Sequence, residues 1–283
     1  MCNRLLFVSH IPTLPASHLS LFWFLVQNQT MGALIKCKQF FYNKHVPKWT
    51  SNHVHICQKY KDSYHFATLY DTTNRIPVYS AYVVEDNKET ERHDTWMVEP
   101  QLVNEEFEEV MMTEDSLKEK HPKLDPKEIG TKQATDDDYN KRPDGYSRGH
   151  LNPSSHHAGK RATYTLTNIV PQNHELNQGL WSQHEAKLKR LAKDNKMNVY
   201  VLVGAIPSER NWIKRDNQPG VNIPEYMWVA YCYCDKKSCK SGGATAKNDE
   251  NNIDEFTLSE LHNFLKNHKK IAGQLFDNKC YVE

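Results

Sequence analysis

Between Tyr146 and Ala192 the chain sets down, in a fixed order, a histidine-bearing turn, a run of β-branched residues, a proline and an amphipathic helical repeat. No other stretch limits the fold so tightly. It opens Tyr146-Ser147-Arg148-Gly149-His150-Leu151-Asn152-Pro153. Ala162–Asn168 (Ala-Thr-Tyr-Thr-Leu-Thr-Asn) reads as a strand, which Pro171 ends. Apolar residues at 176, 180, 181, 188, 191 and 192 then predict a helix over 176–192. A strand, a turn and a returning helix bring Asn177 back towards His150, so polar groups distant in sequence meet at the edge of the core.

The rest of the chain supplies that core. Phe66–Asp71 and Val78–Val84 read as two strands joined by a turn, and Val199–Val203 and Met227–Tyr233 as central strands. Thr257-Leu258-Ser259-Glu260 is a capping box opening a C-terminal helix whose inner face carries Leu258, Leu261, Phe264 and Leu265. Residues 86–150 are polar and proline-punctuated, and read as long loops with short helical pieces. Without strict βαβ alternation, these elements predict an α+β fold with a mainly antiparallel central sheet flanked by helices.

Composition narrows the function. The 283 residues carry 36 Lys+Arg against 35 Asp+Glu, a formal charge of +1, which excludes a strongly basic nucleic-acid coat but not a local basic groove. Charges are segregated: Glu105, Glu106, Glu108, Glu109, Glu114 and Asp115 form an acidic block, and Lys187, Lys189, Arg190, Lys193 and Lys196 a basic one. Leu19–Val26 is the longest apolar run, short of the roughly 18 residues of a membrane span. With Arg4 before it and Thr30-Met31-Gly32 after it, residues 1–33 read as a signal-like segment or extension, carrying a sequon at Asn28. Six of the seven cysteines lie after residue 36, enough for three disulfides in an oxidising compartment with the pairing left open. Secretion is therefore expected.

The residues around His150 suit phosphodiester chemistry. Gly149 lets backbone approach a ligand, Arg148 offers a fork of donors to phosphate oxygens, and the Asn177 amide oxygen is a hard ligand for Mg²⁺ or Ca²⁺. On one continuous helix Glu185 would stand about 12 Å beyond Asn177 and be rotated from it, placing it in the outer shell of a hydrated ion. Singly, each has a plainer reading: a turn histidine, an N-cap asparagine, a Glu185–Lys189 pair on a solvated helix. A zinc site from His150, His156 and His157 with one cysteine is disfavoured, because adjacent histidines point apart.

Taken together, Arg148-Gly149-His150, Thr167-Asn168-Ile169-Val170-Pro171-Gln172 and Asn177-Gln178-Gly179-Leu180-Trp181 with Glu185 resemble the DNA/RNA non-specific endonucleases with a ββα-metal (His-Me finger) site. Within that group they are most similar to the endonuclease domain-containing 1-like proteins. Support comes from Phe66–Asp71, Ile76–Tyr82 and Val221–Trp228, so the resemblance runs from about Cys37 to the end and implies one domain over 34–283. It implies a metal-dependent endonuclease acting on DNA, and on RNA as a wider substrate class, with Mg²⁺ as cofactor and Mn²⁺ or Ca²⁺ as substitutes. By that resemblance His150 is the general base, Asn177 the direct metal ligand, Glu185 an orienter of water, Arg148 a phosphate-side residue and Asn168 a support. Lys189 or Arg190 would supply a transition-state cation. Two departures stand out: Ser147 replaces the usual aspartate before Arg-Gly-His, and Arg92 is displaced from the tryptophan of Asp94-Thr95-Trp96. They motivate an alternative, a catalytically weak or inactive nuclease fold that binds nucleic acid or a protein partner. Oligomeric state is not legible.

Overall fold

The structure is a computed structural model describing residues 36–51, 53–85, 93–235, 237–268 and 270–281. The signal-like segment, its sequon, Cys2 and Arg92 lie outside the described residues.

In chain order the strands are β1 (Val54–Tyr60), β2 (Ser63–Asp71), β3 (Ile76–Val83), β4 (Met97–Val98), β5 (Met112–Thr113), β6 (Tyr146–His150), β7 (Ile169–Asn173), β8 (Tyr200–Arg215), β9 (Gln218–Cys234), β10 (Cys239–Lys247) and β11 (Asp254–Phe256). The helices are α1 (Pro100–Val103), α2 (Glu114–Lys120), α3 (Pro126–Ile129), α4 (Asp136–Asn140), α5 (His174–Gln178), α6 (Leu180–Asn195) and α7 (Leu258–Asn267). Seven strands form an antiparallel sheet in the order β1-β2-β3-β8-β9-β10-β11, while β6 and β7 pair separately as an antiparallel ribbon. The fold is α+β, as the element pattern predicts.

Period-two alternation sends side chains to two cores. Phe66, Tyr82, Val201, Val203 and Val229 pack on one face with Leu166, Ile169 and Trp181. Ala67, Leu69, Leu202 and Trp228 pack on the other with Leu261 and Leu265 of α7. Thr257 and Glu260 make the expected capping box, with Glu260 accepting from the Thr257 N–H at 2.8 Å. Three disulfides, Cys37–Cys57, Cys232–Cys280 and Cys234–Cys239, use all six later cysteines. The acidic block is locally compensated: Glu109 meets Lys36, Lys59 and Tyr64, and Glu108 meets Lys120 and His121.

The structure corrects two local expectations. Ala162–Asn168 is not a strand: Lys160–Thr163 and Leu166–Asn168 are 3₁₀ turns, and the strand is Ile169–Asn173. The threonines that mimic a strand pattern turn their hydroxyls inward instead, Thr163 to the Lys160 carbonyl at 2.8 Å and Thr165 and Thr167 to Glu99 at 3.3 Å each. Pro171 lies inside β7 rather than ending it, a position open to proline because the ribbon has only two strands.

Candidate active site

His150 ends β6 and lies opposite Ile169 of β7. Its ring sits 5.3 Å from that of Trp96 and 5.1 Å from that of Tyr164, which are 5.2 Å from each other, so the imidazole packs against one side of an aromatic pair. Asn168 fixes the chain on the far side. It is fully buried, and its amide donates to the carbonyls of Asn152 and Thr163, both at 3.0 Å. Its oxygen accepts from the Asn152 N–H at 3.0 Å and the Ser80 hydroxyl at 2.9 Å, while its backbone carbonyl accepts from Leu151 at 2.8 Å. Asn168 thus sets the exit from His150 without touching a ligand.

Gly149 serves packing rather than ligand approach. A Cβ there would lie 2.3 Å from Oε1 and 2.5 Å from Cβ of Gln172, whose side chain fills the space.

The helix after β7 is broken. Asn173, not Asn177, is the N-cap of α5, accepting from the Leu176 N–H at 3.1 Å. The chain turns at Gly179 (φ −95°, ψ −117°), where a Cβ would meet the Glu175 carbonyl at 2.4 Å, and Asn251 accepts from the Leu180 N–H at 3.1 Å to start α6. The separation expected for one continuous helix therefore does not apply. Asn177 and Glu185 line the same cleft as His150, a cavity of about 830 Å³. The Glu185 carboxyl does not lie on a solvated helix face. Burial pushes it up to about 8, and the neighbouring Trp181 indole N–H pulls only partly the other way. An amide oxygen and a carboxylate are hard donors of the kind a small divalent cation takes.

Arg148 lines the cleft too, but much of its fork is occupied: it donates to Asp136 at 2.5 Å and Asn140 at 2.9 Å, with its guanidinium 5.2 Å from the Trp96 ring and 5.4 Å from the Tyr139 ring. Lys189 and Arg190 do not line the cleft; Arg190 is exposed, and Lys189 acts on His156. Among the described residues, the cations that line the cleft are Lys160, Arg142 and Arg148. Lys160 went unread in the sequence because the 3₁₀ turns that carry it have no periodicity. Trp96 and Tyr164 were equally hidden as walls for His150. Ser147, at the position of the missing carboxylate, hydrogen-bonds through its hydroxyl to Nδ1 of His174 at 2.9 Å. His156 and His157 turn away from His150 to the carbonyls of Glu185 and His65, both at 2.9 Å, so the three histidines form no zinc site.

Comparisons with known proteins identify the family. The family model for DNA/RNA non-specific endonuclease matches residues 49–282. The "Endonuclease domain-containing 1 protein" of Homo sapiens is 29% identical over 259 residues, and that of Mus musculus 30% over 253 residues. Each alignment covers 87% of this chain and 47% of the relative, so the chain spans about half the length of these curated relatives. A chain in the crystal structure of the EndoG/EndoGI complex aligns with a TM-score of 0.49 and 17% identity, covering 78% of this chain and 88% of that one. On a family match that includes both strands of the β6–β7 ribbon, the helices behind it and most of the sequence, this chain belongs to the DNA/RNA non-specific endonuclease family.

Proposed function

We propose that this chain is a divalent-metal-dependent endonuclease that hydrolyses phosphodiester bonds of DNA, and of RNA as a second substrate, with little sequence preference. The observation that carries the reading is the convergence of His150, Asn177 and Glu185 on one cleft from β6, α5 and α6. Asn177 would hold Mg²⁺, or Mn²⁺ or Ca²⁺ in its place, with Glu185 accepting hydrogen bonds from waters at the site. Such a cation, when bound, stabilises negative charge on the departing 3′-oxygen.

The remaining steps belong to the chain. His150 takes the proton from the attacking water as general base, and the rings of Trp96 and Tyr164 limit its rotation. Lys160 and Arg142 offset charge on the substrate phosphates. Arg148, tied to Asp136, acts mainly as a positioning residue that backs Trp96. These groups address phosphate and water rather than base edges, which supports weak sequence preference. Three disulfides support an oxidising, secreted setting.

His150→Ala tests the reading. The variant should lose plasmid nicking in Mg²⁺ while keeping the wild-type circular dichroism and melting profile, and chelator should stop nicking by the wild type. Unchanged nicking by His150→Ala would remove His150 from the mechanism. Retained DNA binding with no chelator-sensitive nicking in any divalent metal would favour the binding-only alternative that Ser147 motivates.

A further inference from the structure

A second cavity of about 560 Å³ shares one wall residue, Tyr146, with the cleft. Its other walls include Pro143, Arg210, Trp212, Lys214 and Ile223. Among the described residues the lining carries two cations and two aromatic rings and no carboxylate. Arg210 and Asn211 also border a neighbouring groove of mixed charge that contains Glu209, Glu225 and Asp249, whereas Trp212 and Lys214 line this cavity and not that groove.

Sequence and backbone explain why these side chains are presented. Along β8, Ile213 is buried and Arg215 is bound to Asp138 and the Gly130 carbonyl, which pins the β8–β9 arm to the body. Trp212 and Lys214 alternate with them and turn to the other face. Pairing jumps from Pro207↔Pro224 to Trp212↔Asn222, so residues 208–211 bulge out of β8. Asn222 fixes the bulge by accepting from the Ser208 N–H at 2.9 Å and donating to the Ser208 carbonyl at 2.8 Å. Arg210 therefore stands on an anchored turn, exposed beside a half-buried indole.

Cations beside an aromatic face suit a nucleic-acid strand whose phosphates are gripped and whose base is unstacked. A base within a duplex has both faces covered by its neighbours and cannot use the indole. We infer that this groove is a strand-binding extension of the cleft, holding a single-stranded stretch of the substrate on Arg210 and Lys214 with a base stacked on Trp212. This rests on the endonuclease reading above, because it takes the strand in the groove to be continuous with one crossing the cleft.

Binding and cleavage are measured separately so that the two readings fail separately. Binding of a fluorescein-labelled oligothymidylate to the full chain is followed by anisotropy in chelator, where no cleavage is expected, against a hairpin duplex of the same sequence class. Trp212→Ala should weaken oligothymidylate binding about 5- to 150-fold, the range for loss of one stacked base, and should change duplex binding far less. The exposed pair Arg210→Glu with Lys214→Glu should weaken it as well and lower the salt slope by about 1.4, at about 0.7 for each lost contact to a single strand. This pair keeps the test decisive if Trp212→Ala does not fold. Wild-type affinity in both variants overturns the groove, as does equal loss for single strand and duplex. Polyglutamate competing as well as an oligonucleotide of equal charge also overturns it, since the surface would then take any acidic polymer. Absence of nicking in Mg²⁺ by a wild type that still binds single strands through these residues would sink the nuclease reading alone.

Discussion

Glu99 is a carboxyl with almost no access to water and, among the described residues, no ion-pair partner. It is 4% exposed at the start of α1, and burial pushes it up to about 8 even though the hydroxyls of Thr165 and Thr167 donate to it. Its backbone is fixed by Gln133, which accepts from its N–H and donates to its carbonyl, both at 2.9 Å. The folded protein thus holds a proton that the unfolded chain releases above its ordinary value of 4.5. Stability from this group is complete below 4.5 and falls as pH rises towards 8. At about 1.4 kcal/mol per tenfold, the displacement limits the loss to about 5 kcal/mol. Glu99→Gln keeps a neutral acceptor of the same shape and cannot ionise. In urea unfolding, the variant should match the wild type within about 1 kcal/mol near pH 4.5 and become the more stable protein, by a few kcal/mol, near pH 8. Taking the difference between the two proteins cancels the other buried groups, including His156 and His184, which burial holds down to about 4 and whose effect has the opposite sign. A difference that stays constant from pH 4.5 to 8 would refute a protonated Glu99.

Gly149→Ala should destabilise by about 1–3 kcal/mol through overpacking against Gln172, and Gln172→Gly in the same chain, which removes the obstructing Cβ as well as the amide, should recover part of that loss. Thermal melts of the two single variants and the double variant close the cycle; strict additivity would show that Gln172 is not the obstacle. Asn168→Ala should cost on the order of 3 kcal/mol, because it leaves the Asn152 and Thr163 backbone groups without their buried partner and takes one of two partners from the Ser80 hydroxyl. It should also reduce nicking at temperatures where the variant remains folded; wild-type nicking there would mean that Asn168 supports the fold but not the placement of His150.

Much of the scaffold was legible because it obeys short-range rules. Strands β2 and β3, the cores of β8 and β9, and the capped start of α7 follow alternation and capping chemistry. The even cysteine count permitted the three disulfides, though not their partners. The failures came where tertiary contacts override local preference. The threonines of 162–168 read as a strand because β-branched residues alternate, yet their hydroxyls close 3₁₀ turns and reach Glu99. Gly179 divides what apolar spacing reads as one helix, and the residue that makes the break workable, Asn251, lies far along the chain. Arg148 reads as a phosphate fork until Asp136 and Asn140 occupy it.

The site was harder to read than the sheet for a physical reason. Glu99 meets Thr167, which accepts from Gln58 at 2.9 Å; Gln58 also donates to Thr68 at 3.1 Å. Thr68 lies 3.3 Å from the Ser80 hydroxyl, which donates to Asn168 beside the His150 turn. A buried polar chain therefore runs from α1 through β1, β2 and β3 to the cleft. Hydrophobic periodicity carries no record of such a chain, since each member looks like a surface residue in a linear reading. Apolar packing tolerates small slips among similar shapes, whereas a hydrogen-bonded network in low dielectric penalises any arrangement that leaves a member unpaired. The apolar faces can decide that the sheet forms, but the polar chain is better suited to fixing where His150 stands relative to Asn177 and Glu185. Lengthening or shortening the turn at 162–168 by one residue would keep most apolar contacts and break this chain, which makes the spacing between His150 and Asn177 a structural constraint as much as a chemical one.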